Sequence, residues 1–285
     1  MVTVKNTNFY TDYAIKSFFK NTALNNDDGF FLIDNDGCET DKFSNFGKIK
    51  IIKNNQPLNF AENVNQIIDI AIKNKKNLIF LTNDLVFTKD WVNPIIQNNS
   101  SISIPSNNQI FQYQSVCKNL KLKVTMDFKD FNENYELLND IAHQHKKKFN
   151  PNQKFQTLLM PFSCFKIPYD ILNQVGYLDK SYGTGGGEDV DYRIRCAIKG
   201  HDVNFLIDSY VLHFHGRSTW GIETKKQTEE RNKKYTDIFL KKWGKEMTQI
   251  FIVRKDFINI LEKKNVKHLF EKGKFGDLIR EIYKK

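Results

Sequence analysis

Three short runs with the pattern of buried strands constrain the fold of this chain most strongly. They lie at residues 30–33, 48–52 and 78–81, and polar residues close each of them. Between the second run and the third, residues 60–72 carry apolar side chains at helical spacing. Short strands that alternate with helices predict an α/β domain with a mostly parallel sheet and right-handed crossovers.

Acidic residues follow two of these predicted strands. Asp34 and Asp36 come after the first strand, and Asp84 comes after the third. Ligands of open α/β sheets bind at the carboxyl ends of the strands. We therefore expect the three carboxylates to lie at one edge of the sheet. For the first two, a role in capping the turn stays open, because Asp-Asn-Asp-Gly at residues 34–37 is itself a strong turn sequence.

Three consecutive glycines lead directly into two acids, Glu188 and Asp189. Glycine accepts left-handed backbone dihedrals and lets the backbone approach a bulky ligand, whereas acids are favoured where a helix begins. A helix start alone explains the acids but not the glycines. The run therefore predicts a catalytic carboxylate held beside a sugar. Asp191 and Arg195, four residues apart on the same helix, are predicted to form an ion pair of the scaffold.

Two histidines end a further predicted strand at residues 206–216. His213 and His215 alternate along it and therefore lie on one face. Imidazoles in this position can bind a metal, although a strand histidine can also simply pack in a core. Together with the glycine and acid run, they indicate a metal-assisted group transfer.

The composition is that of a globular protein, since 40% of the 285 residues are hydrophobic and 27% are charged. No apolar run approaches the roughly 18 residues that cross a bilayer, and residues 1–8 lack the core of a signal peptide. We therefore expect a cytoplasmic protein. The four cysteines lie far apart without the spacing of a metal site, which predicts reduced thiols and no disulfides.

The formal net charge of +10 suits an anionic partner, such as nucleic acid, an anionic lipid surface or a phosphorylated small molecule. A lysine-rich composition explains the charge equally well. Residues 106–156 are predicted to form an irregular or helical insertion, and the main domain is predicted to span residues 1–220.

A basic helical extension is predicted over residues 221–285. Its apolar stripe suits packing on the main domain or a peripheral membrane contact, and consists of Tyr235, Ile238, Phe239, Leu240 and Trp243.

Six sequence blocks, in order, resemble family 2 glycosyltransferases of the GT-A fold. The blocks are FLIDN at 31–35, NFAENVN at 59–65, LTNDLV at 81–86, VGYLD at 175–179, GEDVDYRIR at 187–195 and YVLH at 210–213. The glycine and acid block also resembles that of the β-1,4-galactosyltransferases, our second choice. The resemblance implies a Rossmann-like nucleotide-diphospho-sugar transferase that moves a hexose with inversion. The expected donor is a UDP-sugar, and the expected acceptor is a hydroxyl of a glycan, a protein or a lipid-linked molecule.

The same resemblance implies roles for individual residues. Asp189 is the general base, and Glu188 holds acceptor hydroxyls or orients the base. Asp84 and His213 bind Mn²⁺ or Mg²⁺, with His215 as a further candidate ligand. The chain departs from the family pattern at residues 82 and 83, where Thr and Asn replace residues that are commonly acidic, so that one strong anionic ligand remains there. The expected contacts to the nucleotide sugar are Asp34, Asp36, Asn65, Asn83, Gly186, Gly187 and Arg217.

A second function class is a non-catalytic protein that keeps the sheet and binds RNA or an acidic glycan through its positive charge. The sequence contains no aromatic RNA-binding motif, so no nucleic-acid partner is expected.

Overall fold

The computed structural model describes residues 1–37, 40–43, 48–108, 131–183, 185–214, 224–255 and 257–284. The strands are β1 (Val2–Thr3), β2 (Phe30–Asp34), β3 (Ile49–Lys53), β4 (Leu78–Leu81), β5 (Leu85–Phe87), β6 (Ile102–Asn107), β7 (Lys154–Gln156), β8 (Cys164–Ile167) and β9 (Val203–His213). The α-helices are α1 (Asn8–Asn21), α2 (Thr40–Phe43), α3 (Phe60–Lys73), α4 (Val92–Gln97), α5 (Tyr135–Lys146), α6 (Tyr169–Val175), α7 (Glu188–Ile198), α8 (Lys225–Thr248), α9 (Phe257–Lys263), α10 (Lys267–Glu271) and α11 (Phe275–Tyr283).

The N-terminal strands form a parallel sheet in the order β1-β2-β3. A parallel bridge between Val2 and Thr82 brings the end of β4 beside β1. From β4 the order continues β4-β8-β6-β9-β5, with β7 also paired to β9. Strand β8 is antiparallel to β4 and β6, whereas β6 and β9 are parallel. The sheet is thus parallel from β3 through β2 and β1 to β4, and it is mixed from β4 to β5. The carboxyl ends of β2 and β4 lie at the same edge of the sheet.

The periodicity of the sequence predicted the elements that carry this edge. Strand β4 spans the expected residues, and α3 begins at Phe60 as expected. Asn59 caps α3: its side chain accepts from the Glu62 backbone N–H, and the Glu62 carboxylate accepts from the Asn59 N–H. Asn59 has a φ of −72° and an extended backbone, as is usual for an N-cap residue.

A buried network of asparagines fixes the turn after β2. The Asn35 side-chain oxygen accepts from the amides of Asn54 at 3.0 Å and Asn63 at 2.9 Å, and from the Leu58 N–H at 2.9 Å. These amides are buried, and paired polar groups in a core specify one geometry. The network therefore holds the loop that follows Asp34.

The C-terminal helices pack on the α/β domain rather than standing apart from it. One buried cluster joins Val190 and Ile194 of α7 to Phe239 of α8 and to Leu278 of α11. Most of the predicted apolar stripe belongs to this cluster, while Leu240 is exposed. Hydrophobic packing on the domain accounts for the stripe.

Within the described residues, no helix combines the length and hydrophobicity that a membrane span requires. Cys164 and Cys196 are buried free thiols, as predicted. Cys38 and Cys117 lie outside the described residues.

Candidate active site

The chain brings Asp84 and His213 together at the edge of the sheet. Asp84 lies in the tight connection between β4 and β5, and β5 pairs antiparallel with the end of β9, so that Leu85 lies opposite His213. The Phe214 N–H donates to the Asp84 carbonyl at 3.0 Å. The Asp84 Oδ1 atom is 3.2 Å from His213 Nε2, and both side chains are buried.

The surroundings of Asp84 favour its charged form. Burial alone would raise its pKa, but the His213 imidazole and a hydrogen bond from Thr82 outweigh burial, so the pKa is lowered. A buried carboxylate beside an imidazole nitrogen provides one oxygen and one nitrogen donor.

This donor set fits Mn²⁺, and less closely Mg²⁺, which prefers oxygen ligands alone. The described part of the chain has no cluster of three His, Cys, Asp or Glu side chains that could hold a metal by itself. Asp84 and His213 would therefore hold an ion together with oxygen atoms of a bound ligand. His215, the further candidate ligand, lies outside the described residues.

The three glycines have the backbone conformation that the sequence predicts. Their φ angles are 114°, 110° and 90° at residues 185, 186 and 187, a region that other residues rarely occupy. Helix α7 begins immediately afterwards at Glu188. We refer to residues 185–187 as the glycine turn and to Glu188 and Asp189 as the carboxylate pair.

The carboxylate pair has unusual electrostatics. Burial raises the pKa of Glu188, and the charge of Asp189 raises it further. Burial also raises the pKa of Asp189. Hydrogen bonds to its carboxylate oppose this shift, among them the bond from the Val190 N–H, which lies 2.8 Å from Oδ1. The Glu188 Oε2 atom is buried without a hydrogen-bond partner among the described residues.

Two contacts connect the edge that carries Asp84 with helix α7. The Thr82 N–H donates to the Ser163 carbonyl at 2.8 Å. The neighbouring Phe162 ring packs on Tyr192 of α7, with ring centroids 6.1 Å apart. Tyr192 is one helical turn from the start of α7. The segment before β8 thus joins the end of β4 to the helix that begins with the carboxylate pair.

Asp34 and Asp36 lie at the same edge of the sheet. Thr3 of β1 is in register with Asp34, and Val2 bridges to Thr82. Two strand spacings, roughly 10 Å, therefore separate the ends of β2 and β4. Asp34 is fully buried, and the Asp36 Oδ2 atom accepts from the Lys5 N–H at 2.6 Å.

Two other predicted donor-binding residues have structural partners. The Asn65 amide donates to the Leu178 carbonyl at 3.0 Å and accepts from the Leu178 N–H at 2.8 Å. The buried Asn83 amide donates to Thr7 Oγ1 at 2.8 Å and Thr11 Oγ1 at 2.9 Å. These bonds hold α3 and α1 in place. Arg217 lies outside the described residues.

Residues of helix α8 complete the surroundings of the glycine turn, which the sequence did not indicate. A Cβ at Gly186 would lie 2.7 Å from Tyr235 Cδ1, and one at Gly187 would lie 3.5 Å from Tyr235 Cδ2. The aromatic ring therefore occupies the space that side chains at the turn would need. No local sequence signal could reveal this contact, because the two segments are far apart in the chain.

Helix α8 also holds α7 through Asp191. The Asp191 carboxylate is fully buried, pairs with Arg195 at 2.9 Å as predicted, and accepts from Trp243 Nε1 at 2.9 Å. Lys242 Nζ lies 2.7 Å from the same carboxylate. These bonds fix α7 against α8 on the side of the carboxylate pair.

Comparison with solved structures identifies proteins of the same fold. GalNAc-T7 with UDP, GalNAc and Mn²⁺ matches 98% of this chain and 53% of its own, with a TM-score of 0.59 and 13% identity. Residues 1–349 of TarS from S. aureus, in complex with UDP-GlcNAc, match 99% of this chain and 87% of their own, with a TM-score of 0.51 and 13% identity. The mannosyltransferase PcManGT from Pyrobaculum calidifontis, in complex with GDP-Man and Mn²⁺, covers 93% and 71%, with a TM-score of 0.50 and 8% identity.

These matches establish the fold. The chain has the GT-A glycosyltransferase fold, as the sequence predicted. It spans about half the length of the GalNAc-T7 chain that it matches. No family model matches the sequence, and the comparison with curated proteins gave no match.

Proposed function

We propose that this chain is a metal-assisted glycosyltransferase that moves a sugar from a nucleotide-sugar donor, a UDP-sugar, to an acceptor hydroxyl with inversion. The observation that carries the proposal is the pair Asp84 and His213, 3.2 Å apart at the ligand-binding edge of a GT-A sheet. Solved structures of this fold that contain UDP, UDP-GlcNAc or GDP-Man support it.

Asp84 and His213 would hold Mn²⁺ or Mg²⁺, which when bound supplies positive charge to the diphosphate leaving group. Asp34 and Asp36 would contact the base or the ribose, because they follow β2 at the same edge. Gly186 and Gly187 would contact the donor sugar through their backbone groups, because Tyr235 already lies where their side chains would be.

Asp189 would act as general base. It removes the proton of the acceptor hydroxyl while the acceptor oxygen forms a bond to the anomeric carbon. The bond from that carbon to the diphosphate oxygen breaks, and its electron pair leaves with the nucleoside diphosphate. A single displacement of this kind inverts the anomeric carbon. The raised pKa of Asp189 suits the role, because a base is most effective when its pKa lies closer to the working pH.

Glu188 would bind an acceptor hydroxyl. Its buried Oε2 atom has no partner among the described residues, and an unmade hydrogen bond to a buried carboxyl costs roughly 1–3 kcal/mol. An acceptor hydroxyl that supplies this bond would recover that energy on binding. Substrate binding would thus offset an energetic cost already present in the folded protein.

The test measures release of nucleoside diphosphate from UDP-sugars and GDP-mannose, with and without Mn²⁺. We expect Mn²⁺-dependent turnover that falls by roughly 100-fold or more in Asp189→Asn and in Asp84→Ala. Asp237→Asn, an equivalent change on the exposed side of α8, is the matched control and should keep full activity. Full activity in Asp189→Asn would refute the assignment of the base.

The same protein preparation also tests the alternative function, a non-catalytic protein that binds RNA or an acidic glycan. Salt-dependent binding of RNA or an acidic glycan, without nucleotide-sugar binding, would support that alternative instead.

A further inference from the structure

Two tyrosine rings from different parts of the chain pack against the glycine turn. A Cβ added at Gly186 would lie 2.7 Å from Tyr235 Cδ1 and 2.9 Å from Tyr235 Cε1. A Cβ added at Gly187 would lie 2.9 Å from Tyr182 Cδ1 and 3.5 Å from Tyr235 Cδ2. Tyr182 ends the 3-10 helix Lys180–Tyr182, whereas Tyr235 belongs to α8. We refer to these two rings as the tyrosine clamp.

The surroundings of the tyrosine clamp hold it in place. Tyr182 is buried, and Tyr235 packs half-buried against the same hydrophobic cluster. Further along α8, Lys242 and Trp243 bind the buried Asp191 carboxylate of α7, at 2.7 and 2.9 Å. Lys242 lies two helical turns after Tyr235 and therefore on the same face of α8. The packing of α8 on α7 thus fixes the Tyr235 ring relative to the glycine turn.

The glycine turn in its turn holds the carboxylate pair. Burial raises the pKa of Glu188 and the pKa of Asp189. Backbone hydrogen bonds at Gly186 oppose this shift for Glu188, and backbone hydrogen bonds at Gly187 oppose it for Asp189. The backbone groups that stabilise the two carboxylates therefore belong to the residues that the tyrosine clamp contacts. A displacement of the turn would change the position and the hydrogen bonding of both acids.

The turn needs an external restraint to keep one conformation. Its three glycines have φ angles between 90° and 114°, and glycine loses more conformational freedom on folding than any other residue. Group transfer requires catalytic groups that packed side chains hold to within about 0.5 Å. Glycines have no side chains that could supply such packing. The two tyrosine rings supply it instead.

We propose that Tyr235 is a positioning residue for the carboxylate pair: together with Tyr182 it fixes the glycine turn, and the turn fixes Glu188 and Asp189. The proposal rests on the proposed glycosyltransferase function and adds a residue of the C-terminal helices to it. The contacts are made by ring carbons, so the aromatic ring rather than the hydroxyl carries the role. Tyr235 acts through the turn and not on the substrate.

The first experiment measures kcat for the release of UDP from UDP-sugars with Mn²⁺. Tyr235→Leu should lower kcat by roughly 10- to 100-fold, because a small displacement of catalytic groups costs this much. Tyr235→Phe keeps the ring and should retain most of the activity. The control is Tyr169→Leu, which removes another half-buried tyrosine ring and should leave kcat unchanged. Tyr169 begins α6 near the start of β4, whereas Asp84 follows the end of that strand.

The second experiment does not depend on turnover: the Glu188 carboxyl carbon is titrated by NMR in the folded protein. Burial and the charge of Asp189 raise the pKa of Glu188 to about 8. In Tyr235→Leu this pKa should fall by at least about one pH unit, because water reaches the carboxylate pair. Arg231 opposes the shift at Glu188 and Arg254 opposes that at Asp189, and both are present in every variant. A role of Tyr235 in overall stability alone would leave the midpoint unchanged.

Equal kcat values for the wild type and Tyr235→Leu would overturn the proposal. An equally large loss in Tyr235→Phe or in Tyr169→Leu would do the same, as would an unchanged Glu188 titration in Tyr235→Leu. If Tyr235→Leu does not fold, Gly186→Ala replaces it in both experiments, because its Cβ forces the turn and the same ring apart. A wild type that neither binds UDP with Mn²⁺ nor releases it from UDP-sugars contradicts the glycosyltransferase function, whereas the titration still tests the tyrosine clamp.

Discussion

His145 should make the stability of this protein depend on pH between about 4 and 6.5. The side chain is buried on α5, between the rings of Phe149 and Tyr210, whose centroids are each 5.4 Å away. Neither ring nitrogen has a hydrogen-bond partner among the described residues. Burial, together with Lys148 and Lys146, lowers the pKa of His145 from 6.5 to about 4, and Asp208 opposes this only weakly.

The size of the effect follows from proton linkage. The folded protein keeps the imidazole neutral, whereas the unfolded chain takes up a proton below its ordinary pKa of 6.5. Each unit of pKa difference is worth about 1.4 kcal/mol. The free energy of unfolding should therefore be unaffected at neutral pH, fall by about 2 kcal/mol at pH 5, and fall by about 3 kcal/mol below pH 4.

The variant His145→Leu removes the titrating group and keeps an apolar side chain of similar volume. Urea unfolding, followed by tryptophan fluorescence, should show that the stability difference between the variant and the wild type grows by about 2 kcal/mol from pH 7.5 to pH 5 in favour of the variant. His143→Leu, on the exposed face of the same helix, is the control and should show no such growth. Parallel pH curves for the wild type and His145→Leu would refute the reasoning.

Three further predictions concern the glycine turn, the carboxylate pair and the scaffold. Gly186→Ala combines a φ of +110° with a Cβ 2.7 Å from Tyr235 Cδ1, so it should destabilise the folded protein by about 1–3 kcal/mol and lower sugar transfer. The control is Gly200→Ala, where φ is +84° and no atom lies within 4 Å of the added Cβ. Thermal unfolding of this control should show only the smaller cost of the backbone conformation. Glu188→Gln should raise the melting temperature at neutral pH and lower sugar transfer. The pKa of Glu188 is raised in the folded protein, so the wild type loses stability as pH increases above the ordinary pKa of 4.5, whereas the variant does not. The gain in melting temperature should therefore vanish as pH falls to 4.5, and a gain that is the same at every pH would contradict this. Lys166→Met should cost roughly 2–4 kcal/mol in urea unfolding, because the buried ammonium donates to the Ile96 and Asn98 carbonyls at 2.9 and 3.0 Å, and an unchanged midpoint would contradict it.

Local pattern predicted much of the architecture. The strands before Asp34 and Asp84, the helix after Asn59 and the left-handed glycines all follow from properties of neighbouring residues. The pair between Asp191 and Arg195 follows from helical spacing alone. Features set by periodicity or by a single residue type are therefore readable from the sequence.

Contacts between distant segments were not predictable. Nothing near Gly186 indicates that Tyr235 covers it, and nothing near Asp191 indicates Trp243, because these contacts depend on how α8 packs on α7. The raised pKa values of the carboxylate pair likewise arise from burial in the folded protein. The C-terminal segment, predicted as an extension, thus contributes directly to the surroundings of the candidate site.

The central claim is that Asp84 and His213 lie in the same cleft as the carboxylate pair. Paramagnetic broadening of backbone amide signals by Mn²⁺ in the presence of UDP tests it most directly. The account predicts that Mn²⁺ broadens the amide signals of Gly186 and Val190 along with that of Leu85, and that Asp84→Ala abolishes all three effects. Broadening confined to Leu85, with sharp signals from the glycine turn, would contradict the claim.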